Sequence, residues 1–172
     1  MEAIEKQEMP DISHLEDAIR LTEKALSSYA DEMLRINLAA LYTLKGNHQV
    51  VYQDDTESAI LNFKKALEID SGCVVALNRL ALLALEKGDM EQVFALSNKI
   101  IEISNGRKAG TSSIVLNQAY SHLGYSALKL YESSRDNIYL ATAESALENG
   151  LREFAGDPIL TRALEDLRKV SS

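Results

Sequence analysis

The chain has no tryptophan, a single cysteine, two prolines and eight glycines in 172 residues, and aromatics make up only 6% of it. So few breakers suit long helices joined by brief turns. Cys73 has no second cysteine with which to close an internal disulfide, which fits a reducing compartment and a cytoplasmic location. No run approaches the roughly 18 apolar residues of a membrane helix. The opening MEAIEKQEMP is charged and lacks the apolar stretch of a secretory signal. Basic residues are also short: 18 Lys and Arg against 26 Asp and Glu give a net charge of −8. That balance opposes a phosphate backbone, so no nucleic-acid partner is expected. It leaves room for a neutral or basic protein partner, although acidity alone mainly confers solubility.

What is present is a globular composition, 46% hydrophobic and 26% charged, in a length sufficient for one ordinary core. Residues 1–10 show no period and read as a loose tail, leaving residues 11–172 as one helical domain. The centre of the pattern runs from Val74 to Ser104 and predicts two amphipathic helices hinged at Gly88-Asp89. Leu77, Leu80, Ala81 and Ala84 share one face of the first. Leu82, Leu83 and Leu85 make its other faces apolar too, the mark of a helix covered on several sides. The second carries Val93, Leu96, Ile100 and Ile101, with Asp89 as its N-cap.

The flanks repeat this pattern. Ser13-His14-Leu15-Glu16 reads as a capping box opening a helix with Leu15, Ala18, Ile19, Ala25 and Leu26 on one face. A second helix begins near Asp31, carries Leu34, Leu38, Ala39, Leu41 and Tyr42, and ends near Gly46. Residues 47–55 form a longer excursion in which Val50, Val51 and Tyr52 either extend the helix or pack back. Asp55 then caps the stripe Ala59, Ile60, Phe63, Ala66 and Leu67. Residues 104–113 read as a loop. Helices follow over about 113–131 and on to about Phe154, separated by a break at 132–137. Asp157-Pro158 starts a last helix with Ile159, Leu160, Ala163, Leu164 and Leu167, read as a terminal cap.

Tandem helical hairpins of this kind resemble the tetratricopeptide repeat family, whose 34-residue helix–turn–helix unit carries W-x₂-L-G-x₂-Y, then A-x₃-F, then P. Leu77, Leu80-Ala81 and Ala84 fill the first-helix slots of the central unit, and Val93, Ser97 and Ile100 those of its second helix. Ala59, Phe63 and Ala66 match more fully. Leu38-Ala39 with Tyr42, and Leu123-Gly124, supply the Leu-Gly steps of the flanking first helices. Ala146 and Pro158 stand twelve apart, as in the family. The repeat is irregular: Ala18, Ala59, Val93 and Ala146 recur at intervals of 41, 34 and 53 residues. The resemblance implies an all-α, right-handed superhelical stack of about three repeats, with a half-repeat before and a capping helix after. Plain helical hairpins of another family remain the alternative fold.

The resemblance also implies a function. First helices of such repeats line a concave groove that holds a peptide or helix of a protein partner, as in an adaptor, scaffold or chaperone-like protein. In that register the groove positions include Met33, Ile36, Asn37 and Ala40, then Val75, Asn78, Arg79 and Leu82, then Gln118, Ser121, His122 and Tyr125. The expected partner-binding set is Asn37, Asn78, Arg79, Leu82, Gln118, His122 and Tyr125, weighed against an ordinary solvated surface. The family's carboxylate clamp, which grips acidic chaperone tails, would fall on Ile36, Ala40, Arg79, Gln118 and His122, and none of these matches its residue types. A homodimer, or a regulatory or structural subunit whose groove is filled by a complex partner, is the alternative.

Catalytic and metal chemistry find no footing in the sequence. His14, His48 and His122 show no HxxxH or HExxH spacing, so no metal is expected. Cys73 has no local cationic cluster to make it a nucleophile. GRKAGTSS lacks the phosphate-loop pattern and follows a helix, and its Arg107 and Lys108 read as a rim. Neither an enzyme activity nor a cofactor is expected.

Overall fold

The computed structural model describes residues 12–106 and 111–171, so the N-terminal tail and the Arg107-Lys108 pair lie outside the described residues. Every regular element among the described residues is helical, eight α-helices and one π-helical turn. They fall into two compact units, one reaching to Ala76 and one beginning at Leu77.

In the first unit, α1 (Ser13–Ser28) packs on α2 (Glu32–His48), and α2 on α3 (Thr56–Ile69). The expected capping box does not form. The N-cap position falls on Ile12, Ser13 is already helical, and the Glu16 carboxylate reaches Lys45 Nζ at 2.8 Å instead. That long-range pair and the Tyr42 hydroxyl, which donates to Glu23 at 2.6 Å, tie α1 to α2. Asp31 and Asp55 do cap α2 and α3, accepting from the amides of Leu34 and Ser58 at 3.0 Å.

The excursion after α2 extends that helix. Its axis runs on through the π-helical turn Gln49–Gln53, and Asp54 in the left-handed region (φ 52°) then ends it. The Asn62 amide donates to Gln49 Oε1 at 2.6 Å and fastens this turn to α3. Small residues allow the close crossing beneath it: Ala39, Ala59 and Ala66 are buried, and a Cβ on Gly46 would stand 2.6 Å from Phe63 Cε1.

The second unit opens inside α4 (Val74–Lys87). Gly88, at φ +74°, takes the left-handed position that ends the helix, and Asp89 accepts from the Gln92 amide at 3.0 Å to begin α5 (Met90–Gly106). Helix α5 runs three residues into the expected loop, where the Ser104 hydroxyl donates back to Ile100 O at 2.7 Å and bonds Thr111 Oγ1 at 2.9 Å. Helix α6 (Ser113–Ser134) likewise outlasts its expected end at Tyr131, and Arg135 (φ 58°) terminates it.

Asp136 caps α7 (Asn137–Glu153), and Asp157 caps α8 (Pro158–Ser171) by accepting from the amides of Ile159 and Leu160 at 2.9 Å. Helix α6 packs against α5, α7 and α8, while Phe94 of α5 meets Tyr139 of α7 edge-on at 5.5 Å. The first helices α4 and α6 are bridged directly by Asn78 and Gln118, and α8 lies along α6. The unit is thus two-layered, with α4, α6 and α8 in one layer and α5 and α7 in the other. Leu160, Leu164 and Leu167 turn one face of α8 inward, while its other face is exposed.

Candidate functional site

Most of the expected contact residues lie on α4 and α6 of the second unit. Helical spacing sets one face of α6: Gln118, Ser121, His122 and Tyr125 follow one another by three and four residues. On α4, Asn78, Arg79 and Leu82 have different fates. Arg79 is exposed and Leu82 half-buried, whereas Asn78 is only 5% exposed, with its amide donating to Gln118 Oε1 at 2.9 Å. Asn37, on α2, is exposed in the first unit, as are its neighbours Met33, Ile36 and Ala40.

Around the Asn78–Gln118 bridge three polar atoms are buried without a hydrogen-bond partner among the described residues: Asn78 Oδ1, Ser121 Oγ and His122 Nδ1. Each such atom costs about 1–3 kcal/mol of lost solvation, so three on adjoining helix faces call for an explanation. Ser97 Oγ is also unpartnered, but Ser97 is fully buried in α5, out of any ligand's reach. Burial holds the His122 imidazole below its ordinary value of 6.5, so the ring is neutral at pH 7 and brings hydrogen-bonding capacity without charge. The positive charge at this place comes from Arg79 alone among the expected contact residues.

Tyr125 leads from this cluster of buried polar groups, called the slot below, into a second feature. It is 45% exposed and joins Leu128, Leu147, Ile159, Ala163 and Leu167 in walling a cavity of about 580 Å³ between α6 and α8. Asn117 Nδ2 donates to Asp157 Oδ2 at 3.0 Å and fixes the start of α8 against α6. The Asp157 carboxyl is held below the usual carboxylate range by the Leu160 amide first and the Asn117 amide next. Three charged groups edge the cavity. Lys129 is bound by Glu132 at 2.7 Å and Asp166 by Lys169 at 2.8 Å, while Arg162 makes no hydrogen bond or ion pair among the described residues.

Sequence reasoning passed over Leu128, Lys129, Ile159 and Arg162 as contact residues. The first two continue the α6 spacing from Gln118, a signal that could have found them. The α8 pair becomes visible only once α8 is placed against α6.

No group of metal-ligating side chains occurs among the described residues, and no helix there is long and apolar enough to cross a membrane.

No protein-family model matches the chain. The mitochondrial import receptor subunits TOM70 of Rattus norvegicus and Homo sapiens are each 29% identical to it over 90 residues. That is 49% of this chain but only 15% of each receptor, so the match spans a small part of their length. Among solved structures, the N-terminal domain of stress-induced protein-1 (STI-1) from C. elegans superposes with a TM-score of 0.62. The superposition covers 78% of this chain and 97% of that domain at 22% identity, a likeness of fold.

Proposed function

We infer that the chain is a tetratricopeptide-repeat protein and serves as a protein-interaction scaffold whose first helices hold an extended segment of a partner. One observation carries the reading: the unpartnered Asn78 Oδ1, Ser121 Oγ and His122 Nδ1 gathered where α4 and α6 meet. An extended main chain offers alternating N–H and C=O groups, and these satisfy an amide oxygen, a hydroxyl and a neutral imidazole together. Small rotations of the half-buried Ser121 and His122 side chains present their polar atoms to it. Arg79 and Leu82 add one cation and one apolar contact beside the slot. The family's carboxylate clamp is not the mechanism, because Ile36, Ala40 and Gln118 occupy its positions and none of them carries a cation.

A second reading has an observation of its own. Met33, Ile36, Ala40 and Leu44 are all exposed along one stripe of α2, with Val51 exposed one further pair of turns on. Such a stripe suits a self-associating subunit.

Retention from the native lysate separates the two. Tagged wild type is compared with an Arg79→Glu/Leu82→Glu variant that keeps its circular dichroism. The scaffold reading expects a protein retained by the wild type and lost by the variant. Equal retention by both contradicts the slot, and retention of nothing but further copies of the chain selects self-association.

A further inference from the structure

The slot and the cavity lie on a single face of one helix. Gln118, Ser121, His122, Tyr125, Leu128 and Lys129 step along α6 by threes and fours. From Gln118 to Lys129 the helix rises about 16 Å, which an extended chain covers in about five residues. One end of this path is polar and unsatisfied. The other is an apolar cavity of about 580 Å³ whose walls are Tyr125, Leu128, Leu147, Ile159, Ala163 and Leu167. That volume lies within the range of specific ligand sites.

The charge at the apolar end has a sign. The chain as a whole carries −8, yet the groups at the rim are Lys129, Arg162 and Asp166. Asp166 is hydrogen-bonded by Lys169 and Lys129 by Glu132; Arg162 lends its charge to Asp166 from a distance, but its guanidinium makes no hydrogen bond or ion pair among the described residues and stands beside the apolar cavity. A planar guanidinium in that position favours a carboxylate, which it can bind through two parallel N–H donors.

We propose that the partner segment lies extended along α6, its main chain pinned in the Asn78–His122 slot, with an aliphatic side chain about five residues away filling the α6–α8 cavity and an adjacent carboxylate on Arg162. This rests on the peptide-binding reading above and adds to it the composition and spacing of the segment. It places the anion on α8, away from the clamp positions on α2, α4 and α6. A basic segment is disfavoured, because it would set a like charge against Arg162, whereas Lys129 is already paired with Glu132.

The test uses a displayed library of random dodecapeptides selected against the full chain. Selected peptides are then synthesised and their affinities read by fluorescence anisotropy. Four proteins are compared: wild type, Arg162→Glu, Ile159→Asp, and Ser121→Ala/His122→Leu. Arg162 and Ile159 are exposed, Ile159 at 64%, so both cavity variants keep the fold, as thermal melts verify. The expected consensus is an aliphatic residue next to Asp or Glu. Arg162→Glu and Ile159→Asp each weaken binding about tenfold or more, and selection repeated on Arg162→Glu exchanges the acid for Lys or Arg. Peptides that lose affinity in Ser121→Ala/His122→Leu, yet bind both cavity variants within about twofold of wild type, overturn this proposal and leave the peptide-binding reading standing. A library that yields no binder at all overturns both.

Discussion

Ala81→Glu is expected to abolish cooperative folding of the second unit. Ala81 has no exposed surface, and it sits in α4 among Leu77, Leu80 and Ala84, all buried. A carboxylate placed there leaves water for an apolar helix face. The cost of an unpaired buried charge is several kcal/mol, set against a total stability of about 5–15 kcal/mol for a domain of this kind. Circular dichroism should show a lost or strongly lowered melting transition. Ala81→Ser, which adds only a hydroxyl that can bond its own helix backbone, should cost about 1 kcal/mol and keep the transition. A melting curve for Ala81→Glu that overlays the wild type would mean that α4 does not bury this face, and the repeat register built on Leu80-Ala81 would be wrong.

Gly124→Val is the second large effect. A Cβ at Gly124 would stand 2.6 Å from Leu147 Cδ2 and 2.7 Å from Leu147 Cγ. Leu147 is itself 1% exposed, and although it borders the α6–α8 cavity, its Cγ as well as its methyls must shift to admit the new side chain. Two opposing terms act. Replacing a mid-helix glycine gains up to about 0.5 kcal/mol of backbone propensity, while overpacking the α6–α7 contact, which displaces Leu147 toward the cavity, costs about 1–3 kcal/mol. Overpacking wins because α6 and α7 meet here through the bare glycine. The melting temperature should fall by about 4–8 °C, the scale for about 2 kcal/mol in a chain of this length. Shortening the neighbour should recover part of the loss, so Gly124→Val/Leu147→Ala should be more stable than the two single effects summed. An additive double variant would show that the two residues do not touch.

These two residues also mark how far the sequence could be read. Leu80-Ala81 and Leu123-Gly124 were legible because small residues at a helix crossing follow from local spacing. The turns were legible for the same reason. Gly88 carries its positive φ, and Asp55, Asp89 and Asp157 each cap the helix expected of them. What failed was set by partners distant in sequence. Ser13 and Glu16 have the spacing of a capping box, but Lys45, far along the chain, takes the glutamate. The π-helical turn at Gln49–Gln53 depends on Asn62 bonding back to Gln49. Asn78 shares a helix face with Arg79 and looks equally solvated in a helical wheel, yet Gln118 buries it.

The candidate site was legible by halves. Its α6 face was present in the spacing of Gln118, His122 and Tyr125, and its α4 contribution followed from the family register. The α6–α8 cavity was not, because it exists only through the way α8 docks, fixed in part by the Asn117–Asp157 hydrogen bond. Arg162 has no distinguishing neighbours in sequence. Its position becomes informative only beside Tyr125, Leu128 and Lys129.

The central claim is that a partner meets the layer of first helices, and site-directed photocrosslinking tests it most directly. A benzoylphenylalanine replaces Arg79 on α4 in one protein and Lys99, exposed on α5 in the other layer, in a second. Both are irradiated in native lysate, and adducts are identified by mass spectrometry. The account predicts a specific adduct from position 79 and none from position 99. An adduct formed at position 99 and absent at position 79 would contradict it.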